Sequence, residues 1–297
     1  MPIFELREVI NFPSLRQSNH TQLSLKSQTL HYGNGVFEGI RAYQTLEEST
    51  AIFKADAHFD RLIKSAQKVH IPFDYSIEEL TQIAYVLLEK NKLKDAYIRP
   101  LVYMDDEMSL KPGKKSHLLM MAWQWGKYLN NDNCRVMISS YQRPHAKAFP
   151  MDVKLTGMYA NSILATQEAN HHGFDEALLC DSNGYVAEGS GQNFFFEKDR
   201  TLYTPPIGNI LPGITRSTII DLAKDNGIKV VEKYFTPAEL QFADSAFFTG
   251  TATEVAGIHS VDNYAFPLNW EDSLGYVLQQ EYQQRVRQEN FQTYTII

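Results

Sequence analysis

The sequence predicts a mixed α+β or α/β protein of two lobes. Three observations point there. Helix-period and strand-like segments interleave in both halves, a Gly/Asn/Asp-rich stretch at 126–133 breaks both periodicities, and 297 residues suffice for two moderate domains. The expected division is a smaller α/β domain over 1–125, a linker over 126–133 and a larger domain over 134–297. Two lobes of this kind invite a ligand cleft between them.

Taken in order, Ile3–Phe12, Val36–Tyr43 and Thr50–Lys54 read as strands, from their β-branched and aromatic content. An amphipathic helix follows, with Phe59, Leu62, Ile63 and Ala66 on one stripe and Asp56 as its cap. A second helix spans Ile77–Leu93, with Leu80, Ile83, Ala84 and Leu87 facing one way. Strands return at Ala96–Met104 and His117–Trp125, separated by a turn around Pro112-Gly113. Beyond the boundary, strands are expected at Cys134–Tyr141, Glu176–Cys180 and Asn193–Glu197. Helices run from Tyr159 to His172 and from Thr215 to Asn226, each closed by a glycine, Gly173 and Gly227. Thr236-Pro237-Ala238-Glu239 has the capping-box spacing, and a last helix covers about Glu271–Gln288.

A net charge of −7 with no Lys/Arg run argues against nucleic acid as partner, since a phosphate-backbone binder needs a dense basic face. No segment is apolar for long enough to span a bilayer, and the N-terminus lacks the basic and apolar regions of a secretory signal. Two cysteines, Cys134 and Cys180, in apolar segments suit buried free thiols in a reducing cytoplasm.

The motifs divide into weak and informative. In Gly33-Asn34-Gly35-Val36-Phe37-Glu38-Gly39 the third glycine comes one residue late for a dinucleotide loop and a strand follows, which favours a tight turn placing Tyr32 and Phe37 at a cleft. Glu188-Gly189-Ser190-Gly191 lacks nucleophile-elbow spacing. His171-His172 point about 100° apart on a helix, so they suit a helix end rather than a metal; no metal site is expected. Leu211-Pro212-Gly213-Ile214-Thr215 delivers the chain into a helix whose first N–H groups could hold an anion. Lys154, between Val153 and Leu155, is either an exposed lysine or an inward amine able to form a Schiff base, and spacing alone leaves both open.

Together these blocks resemble the fold type IV family of pyridoxal-phosphate (PLP) enzymes, and within it the branched-chain amino-acid aminotransferases. The resemblance rests on an ordered series from Leu30 to about Ile258. Its members are Leu30-His31-Tyr32-Gly33, Val36 to Arg41, Arg61-Leu62, Ala96 to Pro100, Trp125-Gly126, Lys154 with Gly157 and Tyr159, Glu188-Gly189 with Gly191 and Asn193, Leu211 to Arg216, and Gly250-Thr251-Ala252.

The resemblance implies PLP in the cleft between lobes, bound mainly by the C-terminal domain, and ping-pong transamination of Leu, Ile or Val with 2-oxoglutarate. Lys154 is then the Schiff-base lysine, Glu188 faces the pyridine nitrogen, Tyr159 bonds the cofactor O3′, and Arg61, Ile214, Thr215 and Thr251 hold the phosphate. Tyr97, Thr251 and Ala252 would grip the α-carboxylate; Phe37, Trp125, Tyr128 and Tyr159 form an aromatic wall; Tyr32 enters from a partner subunit. Arg99 accepts the second carboxylate of glutamate. The resemblance further implies a cytoplasmic homodimer, open to higher assembly, acting on small amino acids and 2-oxo acids.

Thr156, Met158 and Gln192 depart from the Gly, Asn and Glu of the bacterial pattern, and Asp105 to Leu110 lacks its glycine-rich loop. Rival readings are a D-amino-acid transaminase or a 4-amino-4-deoxychorismate lyase of the same fold. A non-catalytic PLP-fold binding protein is the alternative from another class.

Overall fold

The computed structural model describes residues 9–11, 14–16, 23–106, 108–111, 113–126 and 134–288. The expected linker over 126–133 lies outside these residues except for Gly126, as do Tyr128, Pro112 and most of the strand expected at Ile3–Phe12. The chain forms two compact units.

The first unit holds β1 (Val9–Asn11), β2 (Ser14–Arg16), α1 (Gln28–Tyr32), β3 (Gly35–Phe37), β4 (Ile40–Gln44), β5 (Thr50–Ile52), α2 (Ala55–Lys68), α3 (Ile77–Asn91), β6 (Ala96–Met104) and β7 (Ser116–Trp123). Its sheet runs β2-β1-β7-β6-β4-β5, with β3 also on β6. The helices pack through the apolar stripe the sequence predicts. Phe59, Leu62, Ala66, Leu80, Ala84 and Leu87 are all fully buried, which at roughly 1.5–3 kcal/mol for each large side chain makes them the main hold of this layer. Asp56 is not the cap of α2. Lys54 is, with φ 49° and no side-chain capping hydrogen bond, and Asp56 lies in the first turn, where its charge suits the dipole. Ser76 and Glu79 form a full capping box at α3.

The single strand expected over Val36–Tyr43 is two. Glu38-Gly39 interrupts it, because the Glu38 carboxylate turns inward to partners on α2 and the Glu38 N–H bonds Pro100 O. The first unit also takes back Val153–Gly157, and the chain again from Val286. That differs from the expected division, which kept both within 134–297. Phe37 N–H donates to Lys154 O at 3.1 Å, Val36 bridges Leu155, and Gly157 N–H donates to Gly33 O at 3.0 Å. A Cβ on Gly33 would sit 2.5 Å from Gly157 Cα, so this approach requires glycine.

The second unit comprises β8 (Cys134–Gln142), α4 (Tyr159–His171), β9 (Glu176–Cys180), β10 (Val186–Gly189), β11 (Asn193–Lys198), β12 (Thr201–Thr204), α5 (Ile214–Asp225), β13 (Lys229–Glu232), β14 (Ser245–Gly250), β15 (Glu254–Val261), β16 (Tyr264–Ala265) and α6 (Leu274–Arg285). Its strands follow β10-β9-β8-β15-β14-β11-β12-β13, and β10 also pairs β11, so six strands close a circuit. Phe194, Phe196, Phe235, Phe248, Leu178 and Val136 belong to one buried cluster on this sheet. The alternate residues Phe195 and Phe247 stack at 5.0 Å, with Phe247 against Trp270. Burial on both faces explains why β9 and β11 read as unbroken apolar runs. The last helix begins at Leu274, because Trp270–Asp272 is a tighter turn, and the buried Glu197 accepts the Leu274 N–H. No helix among the described residues is long and apolar enough to cross a membrane.

Candidate active site

The predicted site residues fall into two sets, one in each unit. In the first, Lys154 is half-buried on the short segment fastened to β3, with its Nζ 5.0 Å from the Phe37 ring centre. Thr156 explains its own departure from glycine. Its hydroxyl donates to Gly33 O at 2.6 Å and lies 3.1 Å from Gly35 O, reinforcing the same fastening. Arg61 leaves α2 towards Glu38, whose two oxygens accept from Nε at 2.6 Å and Nη2 at 2.9 Å.

On β6, Tyr97 and Arg99 sit two residues apart, so their side chains share one face of the sheet. The Arg99 guanidinium lies 4.8 Å from the Phe37 ring centre and 5.2 Å from that of Tyr97, and Nη2 donates to Tyr97 Oη at 2.7 Å. Its Nε is buried without a hydrogen-bond partner, and no carboxylate among the described residues pairs with it. Trp125 meets Tyr97 edge-on at 4.6 Å, and Trp123, which the sequence reading passed over, lies 5.1 Å from Tyr97 and 5.6 Å from Trp125. The result is an aromatic wall with one guanidinium in it. Tyr32 is exposed at the end of α1, where its hydroxyl donates to Met108 O. Gln28 donates to Ser109 O and Lys111 O, so α1 holds the 108–111 segment by side-chain bonds in place of the missing glycines.

In the second unit, Glu188 is buried on β10 and held by several donors. Arg143 Nη2 approaches Oε1 at 2.8 Å, Asn193 Nδ2 donates to Oε2 at 3.0 Å, and Leu211 N–H lies 3.2 Å from both oxygens. Arg143, itself 7 % exposed, carried no signal in the sequence; it is 45 residues from its partner. Asn193 also donates to Leu211 O, and a Cβ on Gly213 would meet its Oδ1 at 1.9 Å, so the turn entering α5 is built onto the Glu188 carboxylate. That helix starts at Ile214, one residue earlier than predicted, with Gly213 as its N-cap and no side-chain cap. Thr215 is buried in its first turn. Thr251 and Ala252 form the half-buried turn between β14 and β15, and Tyr159 opens α4.

The Gln192 departure has a local reason. Glu176 is a buried carboxylate accepting from Ser190 Oγ at 2.7 Å and Gln192 Nε2 at 2.9 Å. A glutamate at 192 would set two carboxylates together out of water, whereas the amide supplies a donor. Met158 is simply buried.

The model of the Amino-transferase class IV family matches residues 35–261. The chain belongs to that family. Among its relatives, the branched-chain-amino-acid aminotransferase of Pseudomonas aeruginosa is 46% identical over 242 residues, 80% of this chain and 78% of that protein. That of Escherichia coli is 39% identical over 249 residues, 81% and 80% of the two chains. The solved Escherichia coli branched-chain amino acid aminotransferase superposes with a TM-score of 0.93 at 32% identity, covering 98% of this chain and 100% of that one. The Thermobaculum terrenum enzyme in its PLP form gives 0.91 at 27% identity, covering 99% and 100%. Class IV aminotransferases use PLP, and the donor chemistry present in this aminotransferase fits that group. It has an amine for the aldehyde at Lys154, a buried carboxylate for the ring nitrogen at Glu188, and a helix start without a side-chain cap for the phosphate at Thr215.

Proposed function

We propose that this class IV aminotransferase exchanges the amino group of Leu, Ile or Val with 2-oxoglutarate, in both directions and by a ping-pong cycle. The observation that carries the substrate reading is Arg99, set between the Phe37 and Tyr97 rings with a buried Nε that no group among the described residues satisfies. An aliphatic side chain suits the ring faces, and the second carboxylate of glutamate suits the guanidinium. Between those halves the arginine needs no anion, because its charge rests on two aromatic faces and a phenol.

The bound cofactor supplies a ring that withdraws the electrons released at the substrate Cα. Lys154 would hold the cofactor aldehyde, and its Nζ would take and return the proton at the substrate Cα. Glu188, fixed by Arg143, Asn193 and the Leu211 N–H, would offer a carboxylate to the ring nitrogen. Tyr159 bonds O3′. Arg61, the Ile214 and Thr215 start of α5, and Thr251 take the phosphate. Tyr97, Thr251 and Ala252 bind the α-carboxylate. Phe37, Trp125 and Tyr159 would exclude water around the side chain, and Tyr32, exposed as are Leu30 and Met108, would serve the site of a second copy in a homodimer. The free thiols of Cys134 and Cys180 accord with a reducing cytoplasm.

The named relatives at 39–46% identity are branched-chain enzymes, which favours this reading over the D-amino-acid transaminase and the lyase. The presence of Lys154 and Glu188 disfavours a non-catalytic binder. The test is a half-reaction panel. Leu, Ile, Val, Glu, D-Ala and aminodeoxychorismate are each mixed with the PLP form while its visible spectrum is followed. Rapid conversion by Leu, Ile, Val and Glu is expected; conversion by D-Ala with none by Leu or Ile would overturn the substrate assignment.

A further inference from the structure

The Glu38 side chain is completely buried where β3 breaks from β4. Besides the two bonds from Arg61, its Oε2 accepts from His58 Nδ1 at 2.8 Å and from the Gly39 N–H at 3.2 Å. His58 and Arg61 are three residues apart on α2, so one helix face presents both to the carboxylate. Every partner is fixed. The Glu38 N–H is tied to Pro100 O, and the His58 side chain is 2% exposed while Arg61 is 12% exposed.

Burying three such groups is costly, and a buried ion pair is a poor way to gain stability. Burial alone would push the Glu38 carboxyl up, but the Arg61 guanidinium and His58 overcome it and hold the group far below the usual carboxylate range. Burial likewise pushes His58 down, more than Glu38 pulls it up, with Arg61 and Lys154 adding repulsion. The cluster is therefore one anion, one cation and a neutral imidazole donor. Its geometry engages two of the five guanidinium N–H groups side-on, through Nε and Nη2, which fixes both the plane and the direction of the fork.

We propose that Glu38, steadied by His58, is a positioning residue that presets the Arg61 guanidinium for the cofactor phosphate. The inference rests on the reading of Arg61 as a phosphate ligand. It differs from a purely structural pairing of α2 with the sheet in one respect: it concerns the phosphate and not the rest of the cofactor.

Apo-protein of the full chain is titrated with PLP and with pyridoxal, which lacks the phosphate, following absorbance and protein fluorescence. The measured quantity is the ratio of the two dissociation constants, which does not depend on the folded fraction. Glu38→Gln is expected to lower the preference for PLP about tenfold, because a charge-assisted clamp becomes a neutral one, with pyridoxal affinity within about twofold of wild type. His58→Gln, which keeps the carboxylate but loosens it, should give a smaller loss, and Glu38→Asp a partial recovery relative to Gln. Arg61→Ala sets the full loss. If Arg61→Ala abolishes the preference while Glu38→Gln and His58→Gln leave it intact, the positioning role is wrong. If Arg61→Ala itself leaves the preference unchanged, the phosphate reading of Arg61 fails and this inference with it. Equal weakening of both ligands in Glu38→Gln assigns the cluster to structure alone and also overturns the proposal.

Discussion

Gly39→Ala acts on the aromatic wall from behind. The added methyl would lie 2.1 Å from Tyr97 Oη, 2.9 Å from Cζ and 3.3 Å from Cε2. Carbon contacts are comfortable near 3.5 Å, so the phenol must retreat by about 1.4 Å. It has little room, for the ring is 4% exposed and wedged against Trp123 and Trp125. The same atom accepts the 2.7 Å bond from Arg99, so the displacement strains that bond as well. Overpacking of this kind costs about 1–3 kcal/mol, and a lost bond to a charged group about 1.5–3 kcal/mol. With Tyr97, the residue proposed to grip the α-carboxylate, displaced by more than 1 Å, kcat/KM should fall roughly 100-fold. Stopped-flow half-reactions with Leu and Glu measure this, and both should fall, Glu at least as far as Leu because it also uses Arg99. Adding Tyr97→Phe removes the nearest clashing atom and should restore part of the lost Tm without restoring affinity for the α-carboxylate. Wild-type rates in Gly39→Ala, with Tyr97 unmoved in a crystal structure of the variant, would refute the reasoning.

Other outcomes follow from the same geometry. Gln192→Glu replaces a hydrogen-bond donor to buried Glu176 by a second carboxylate, so Tm at neutral pH should fall below wild type; an unchanged Tm in thermal scans would contradict this. Burial pushes the thiols of Cys134 and Cys180 up from 9.0 to about 12 and about 11, with neighbouring carboxylates adding to it. The unfolded chain therefore releases thiol protons first, and stability should decline as pH rises from about 9 towards 11–12, a decline that Cys134→Ala softens in alkaline melts. At neutral pH, labelling by a disulfide reagent should track global unfolding; fast labelling of the native protein would show the thiols are reachable. Arg99→Gln should cost the glutamate half-reaction at least tenfold more than the leucine one, and equal losses would remove Arg99 from the second-carboxylate role.

What could be read from sequence was what local physics writes. The stripes Phe59-Leu62-Ala66 and Leu80-Ala84-Leu87 carry the helical period and are fully buried. Thr236 and Glu239 carry a capping box, which forms, and the same spacing at Ser76 and Glu79 was there to be read. Strands such as β12, β13 and β16 are two to four residues long and escaped notice, since so short a run shows no period. The candidate site was legible only through the order of its blocks. Why each member is held where it is depends on distant partners: Arg143 for Glu188, Glu38 for Arg61, Gly33 for the segment that carries Lys154. No window of neighbouring residues contains those pairs. The interruption of the expected 36–43 strand came from the same source, for a carboxylate turned inward outweighs β-propensity when a guanidinium and an imidazole of α2 reach it only after folding.

The circuit of strands in the second unit is shut by a single rung, Glu188 opposite Asn193. The residue whose carboxylate is proposed to face the cofactor nitrogen is thus also the clasp of that circuit. Glu188 is therefore held twice over, by the donors to its carboxylate and by the pairing that shuts the circuit.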